Sequence, residues 1–204
     1  MEDEYRKFLD GLSDFDAAHG MAHIERVVSN AKRLLKSENA DREIVIAAAW
    51  LHDCVSLPKD HPDKKRSSTL AAEKAGQFLK SIQFDEKKIE KVRHAIEAHS
   101  FSSGITPCTI EAKIVQDADR LDALGAVGIA RCFMIGGLLN RPIYNPKDPF
   151  CDNSEPDDQL WTIDHFYTKL FKLKELLNTD SAKKEAEKRV EFMHQYLQRL
   201  REEI

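Results

Sequence analysis

Residues 42–53 read Arg42-Glu43-Ile44-Val45-Ile46-Ala47-Ala48-Ala49-Trp50-Leu51-His52-Asp53. Asp41 stands where a helix N-cap belongs, because its side chain can accept an unpaired N–H of the first turn. From Ile44 to Leu51 the run is apolar on every side of the helix it predicts. A helix of that kind is buried at the centre of a fold rather than laid on its surface. It ends on His52 and Asp53, an imidazole and a carboxylate that can each ligate a divalent cation. Neighbouring helical residues point about 100° apart, so both reach one ion only from a helix end or through adaptable rotamers.

The surrounding chain is helical by its periodicity. Val27, Val28, Ala31, Leu34 and Leu35 share one stripe over 21–36. After the break Leu57-Pro58-Lys59-Asp60-His61-Pro62-Asp63, residues 67–81 turn Leu70, Ala71, Ala75, Phe78 and Leu79 inward. Asp85 caps a helix whose stripe, Ile89, Val92 and Ile96, runs on to His99. Thr109 caps the next, with Ile110, Ile114, Val115, Ala118 and Leu121 on one side, and an apolar helix follows over 125–139. Residues 140–156 hold Pro142, Pro146, Pro149 and Pro156 and no periodicity; loops this long are usually functional or mobile. An amphipathic helix is predicted over 160–177. A last one over 182–204 carries the seam Ala186, Val190, Met193, Leu197, Leu200 and Ile204, read as packing on its own domain. No segment alternates as a strand does, so the expected class is all-α.

Bulk properties narrow the function. A length of 204 residues suits one domain with a real core, and a net charge of −4 offers no electrostatic reason to bind nucleic acid. No window of about 20 apolar residues predicts a membrane span. The start, Met1-Glu2-Asp3-Glu4, has no apolar signal core. Cys54, Cys108, Cys132 and Cys151 are scattered without a Cys-x-x-Cys pair, as in a reduced cytoplasmic protein. The expected location is therefore cytoplasmic, and the expected assembly a monomer or homodimer.

Metal-capable residues lie on both sides of the doublet. Upstream, His19 and His23 are four apart, and they share a face if the helix has already begun by His19. Downstream comes Gln116-Asp117-Ala118-Asp119-Arg120-Leu121-Asp122. Asp119 sits in an otherwise apolar helix, and a carboxylate on a semi-buried face is costly unless paired, hydrogen-bonded or metal-bound. Three helices thus bring His23, then His52 and Asp53, then Asp119 toward a buried face, with Asp117 and Asp122 as rivals for the last place. Two imidazoles and two carboxylates suit Mn²⁺, Fe²⁺, Co²⁺, Ni²⁺ or Zn²⁺ and are too nitrogen-rich to favour Ca²⁺. Four ligands leave positions on a six-coordinate ion for water and a substrate oxygen.

This pattern resembles the HD-domain metal-dependent phosphohydrolases: a His, a His-Asp doublet and an Asp on separate helices, here His23, His52-Asp53 and Asp119. Leu57 to Pro62, Arg66-Ser67-Ser68, Ala98 to Ser102, Asp148-Pro149-Phe150 and Asp164-His165-Phe166 are similar to a small stand-alone bacterial subgroup that includes nucleotide pyrophosphohydrolase-like proteins. The resemblance covers nearly the whole chain. It implies an HD-domain helical bundle with additional C-terminal helices: one domain over 1–204, its core about 15–139, helices over 158–204 packed on that core, and the loop 140–157 between. It also implies hydrolysis of a phosphate ester or phosphoanhydride, with a nucleotide as the expected substrate, by a water activated on one divalent metal. Manganese is the first choice, with Mg, Co, Ni, Fe or Zn as alternatives. The expected partner is a small phosphorylated substrate, with neither nucleic acid nor membrane involved.

Roles follow for the remaining residues. Asp53, His61 and Asp122 are candidates for proton transfer, with Asp60 and Glu97 behind them. His19, Lys59, Arg66, His99 and Arg120 are candidates for phosphate, since cationic donors take up phosphoryl charge. Some HD nucleotidases carry a Glu shortly after the doublet, whereas Cys54-Val55-Ser56-Leu57 follow here. That departure raises the alternative of a catalytically silent nucleotide-binding or sensor module.

Overall fold

The computed structural model describes residues 1–12, 20–57, 61–100 and 103–204, and the described residues contain helices and no strand. The chain divides into two compact units, Met1–Asp119 and Arg120–Ile204.

The first unit holds α1 (Glu2–Asp10), α2 (Met21–Leu34), α3 (Arg42–Leu51), α4 (Ser67–Ser81) and α5 (Glu86–His99), and most of α6 (Ile110–Asp122). Every residue of α3 from Ile44 to Leu51 is buried. The reason is its company, because α1, α2, α4 and α5 all pack on it. Burying each of its large side chains contributes on the order of 1.5–3 kcal/mol. Helix starts follow the local chemistry. The Asp41 and Asp85 carboxylates accept the N–H groups of Glu43 and Lys87, both at 3.0 Å. Thr109 Oγ1 accepts that of Ala112 at 3.1 Å.

Sequence periodicity did not single out α1. It buries Tyr5 and Leu9 and stacks Phe8 on Phe78 of α4. Its Glu2 carboxylate accepts from Trp50 Nε1 of α3 at 2.9 Å and from Lys32 Nζ of α2 at 2.7 Å. Two buried carboxamides make further ties between helices. Asn30 Nδ2 of α2 donates to the Ala118 carbonyl of α6 at 3.0 Å, and Gln116 Nε2 of α6 donates to the Ala98 carbonyl of α5 at 2.7 Å.

In the second unit α7 (Gly125–Leu138) packs on α9 (Asp180–Arg201). Gly125 begins α7 at φ +74°, a left-handed conformation that glycine adopts without steric cost. The loop before residue 158 contains no helix, and the α9 seam buries Ala182, Ala186, Val190, Met193 and Leu197. The single helix predicted over 160–177 is instead α8 (Asp164–Thr168), a break at Lys169, and a 3-10 segment, Leu170–Leu176. Competing hydrogen bonds explain this. The N–H groups of Thr162 and Ile163 are taken by the carbonyls of Pro142 and Ile143, at 3.0 and 2.9 Å. His165 Nδ1 and Thr168 Oγ1 both converge on the Asp158 carboxylate, which anchors α8 locally.

Candidate metal centre

α2, α3, α5 and α6 each bring a side chain to one region of the first unit. His23 lies in the first turn of α2, His52 and Asp53 at the end of α3, His99 at the end of α5, and Asp119 near the end of α6. The helix ends solve the angular problem posed by adjacent residues: His52 is the C-cap of α3, and Asp53 already lies beyond the helix.

The donor atoms converge. His23 Nε2 is 3.4 Å from His52 Nε2, 3.4 Å from Asp119 Oδ1 and 3.8 Å from Asp53 Oδ2. His52 Nε2 is 3.6 Å from Asp53 Oδ2, and His99 Nε2 is 3.4 Å from Asp53 Oδ1. Donor atoms that share one ion with bonds of about 2.1 Å lie roughly 3–4 Å apart, so the spacing fits a divalent cation. Two overlapping triads meet the requirement: His23, His52 and Asp119, and His52, Asp53 and His99.

The imidazoles are aimed as ligands need to be. His52 Nδ1 lies 2.8 Å from the Ala49 carbonyl, and His99 Nδ1 lies 2.6 Å from the Ile96 carbonyl. In each case the carbonyl three residues back accepts from Nδ1–H; on His52 this leaves Nε2 with its lone pair toward the cluster, whereas Nε2 of His99 presents a proton to Asp53. His52 is fully buried, and Asp119 is the most open of the group, at 29% exposure.

Charge follows from this crowding. Burial, with smaller contributions from His99 and His23, pushes the His52 pKa down to about 4, against the opposing pull of Asp53 and Asp119. Its imidazole is therefore neutral, as ligation requires. Burial alone would raise the Asp119 carboxyl; the His23 hydrogen bond and the charges of His23 and His99 hold it well below the carboxylate range. Burial works against protonation of His99, but the Asp53 hydrogen bond and the charges of Asp53 and Asp119 outweigh it and raise its pKa.

His19, Lys59 and Asp60 fall outside the described residues. His61 Nδ1 accepts the Asp63 N–H at 3.1 Å, and Arg66 stays 63% exposed beside Asp63. Two candidates belong to the second unit: Arg120 donates to the Leu176 carbonyl, and Asp122 is buried in a 2.6 Å ion pair with Arg131. Asn30 was not singled out from the sequence. Its signal is an amide on the apolar face of α2, between Val27 and Leu34.

Comparison with known proteins places these features in context. The HD domain family model matches residues 20–124, which include all five converging side chains. The chain is 35% identical over 197 residues to the uncharacterised protein YpgQ of Bacillus subtilis, covering 95% of this chain and 88% of YpgQ. Among solved structures, YpgQ in complex with ADP is similar at 33% identity and a TM-score of 0.74, over 100% of this chain and 96% of that one. An HD-superfamily hydrolase from Bacillus thuringiensis is similar at 35% identity and a TM-score of 0.75, over 99% and 97%.

Proposed function

The chain belongs to the HD-domain family and has the fold of HD-superfamily hydrolases, and on that premise we propose that it is a divalent-metal-dependent phosphohydrolase acting on a phosphate ester or phosphoanhydride of a nucleotide. One observation carries the reading: three imidazoles and two carboxylates from four helices converge within ligand-to-ligand distance. A structural metal would serve the fold with the same donors, but the 29% exposure of Asp119 leaves a way in for water and substrate. The nucleotide part of the proposal is supported by the ADP complex of YpgQ.

In this reading His23, His52, Asp53 and Asp119 hold the metal. When bound, a divalent cation supplies Lewis acidity and acidifies a water toward neutral pH. The chain's own groups do the rest. His52 is kept neutral by burial, so its Nε2 stays available without competition from a proton. His99 has its Nδ1 engaged by Ile96 and its Nε2 near Asp53, and it donates to a phosphoryl oxygen. Asp53 is assigned the proton-transfer role; His61 and Asp122 are secondary, the latter because Arg131 already engages its carboxylate. Phosphate recognition is assigned further to His19, Lys59, Arg66 and Arg120.

The second reading is a nucleotide-binding module without turnover. It is favoured by one feature, the Cys54-Val55-Ser56-Leu57 stretch where some HD nucleotidases carry a Glu. Both readings are separated by incubating purified protein with a panel of nucleoside mono-, di- and triphosphates, with Mn²⁺, Co²⁺ or Mg²⁺, and measuring phosphate and pyrophosphate. Metal-dependent release from at least one nucleotide is expected. ADP binding without turnover of any panel member would favour the silent module.

A further inference from the structure

Beyond the converging side chains, the first unit contains two buried carboxamides whose hydrogen bonds end on the backbone directly before site residues. Asn30 Nδ2 donates to the carbonyl of Ala118, the residue before Asp119, at 3.0 Å. Gln116 Nε2 donates to the carbonyl of Ala98, the residue before His99, at 2.7 Å. Asn30 is 5% exposed and Gln116 4%, while Ala98 and Ala118 are fully buried. We propose that Asn30 and Gln116 are positioning residues for two separable halves of the site, Asn30 for the metal ligand Asp119 and Gln116 for the phosphate donor His99. The proposal rests on the metal-dependent reading given above.

Helix packing explains why such ties are needed. Apolar stripes specify which faces meet, but hydrophobic attraction is non-directional and tolerates small slides and rotations. Ligation does not tolerate them, because displacement of a donor by an ångström breaks a bond of about 2.1 Å. A buried carboxamide supplies the missing precision. If α6 slid or turned against α2, the Asn30 N–H would lose its acceptor in a dry interface, where an unpaired donor is costly. The register that satisfies Asn30 is the one that puts Asp119 Oδ1 3.4 Å from His23 Nε2, and both of these contacts join α2 to α6.

Gln116 acts at the other side of α6. Ala98 is in the last turn of α5, where helical carbonyls lack an intrahelical partner. Gln116 supplies a partner for Ala98, and Ser103 Oγ donates to the neighbouring Glu97 carbonyl at 3.0 Å. The end of α5 is thereby held at the position from which His99 Nε2 reaches Asp53. Both bonds end on backbone carbonyls, so through them each amide acts on the helix it ties.

Isosteric variants test this directly. Asn30→Leu and Gln116→Met keep volume and remove the donor; Asn30→Asp is a second variant at the first position. Mn²⁺ affinity is measured by titration and ADP affinity by calorimetry on the Mn²⁺-loaded protein, alongside the thermal midpoint of the metal-free protein. Asn30→Leu is expected to weaken Mn²⁺ binding about tenfold or more, the scale seen for residues that support ligands. Gln116→Met is expected to leave Mn²⁺ affinity within about twofold and to weaken ADP binding about tenfold, near 1.4 kcal/mol. Lower metal-free stability with both affinities unchanged would overturn the proposal, because it is what a merely structural amide gives. Should Asn30→Leu fail to fold, unchanged Mn²⁺ affinity in Asn30→Asp would overturn it equally. A wild-type protein that binds no Mn²⁺ would instead remove the metal-dependent reading itself.

Discussion

His52 is common to the two ligand triads, and Asp53 spans the cluster beside it: one carboxylate oxygen faces His23 and His52, the other faces His99. His99 is thus adjacent to the proposed metal ligands without being needed to complete them. His99→Ala is expected to leave Mn²⁺ content unchanged and to raise the nucleotide KM about tenfold or more, the loss of one hydrogen bond to a charged group. Loss of the metal in that variant would make His99 a ligand. At this scale the residues most visible in the sequence are those whose chemistry conflicts with their surroundings. His52 and Asp53 end an apolar run, and Asp119 interrupts an apolar stripe. Asn30 is harder to see because an asparagine in a helix is ordinary, and only the identity of its distant acceptor, Ala118, gives it meaning. Arg66 is legible in a different way: nearness in the chain to the doublet suggests a phosphate role, and the exposed side chain lies beside Asp63, three residues away.

Among the elements, α3 depends on its start as much as on its apolar faces. The Asp41 carboxylate caps it and also meets Lys88 of α5 at 2.8 Å. The Lys88 hydrogen bond, against a smaller opposing effect of burial and with help from the Glu43 and Ile44 N–H groups, lowers the Asp41 pKa. A carboxyl depressed in the folded state contributes stability above its unfolded value, about 3.9, and loses it as pH falls through the folded value. Asp41→Ala is therefore expected to cost about 1 kcal/mol in urea unfolding at pH 7, with the difference from wild type shrinking toward pH 3. A difference that is the same at both pH values would remove the ionised cap from the explanation. Caps and stripes made the long helices readable. The helix expected over 160–177 was not readable in the same way, because the carbonyls of Pro142 and Ile143 that claim its first N–H groups lie some 20 residues away. Helix α1 was missed for a related reason. Its Glu2 is explained by Trp50 and Lys32, contacts that no local pattern encodes.

At the scale of the molecule, an all-helical chain with an apolar central helix was legible from periodicity alone, while the division at Asp119–Arg120 was not. That boundary falls inside α6, where helical periodicity continues without interruption. The described residues contain no single helix long and apolar enough to cross a membrane. Within the first unit, burial, helix ends and backbone-fixed imidazoles all serve one arrangement of five side chains. The most direct measurement is therefore metal stoichiometry and affinity: Mn²⁺ titrated into wild-type protein, His52→Ala and Asp53→Ala, followed by the loss of the free Mn²⁺ resonance signal. One tightly bound Mn²⁺ per chain is expected in the wild type, with both variants weakened by more than about 100-fold, beyond the range for supporting residues. A wild type that binds no Mn²⁺, Co²⁺ or Zn²⁺, or an Asp53→Ala variant that binds as tightly as the wild type, would contradict the metal centre.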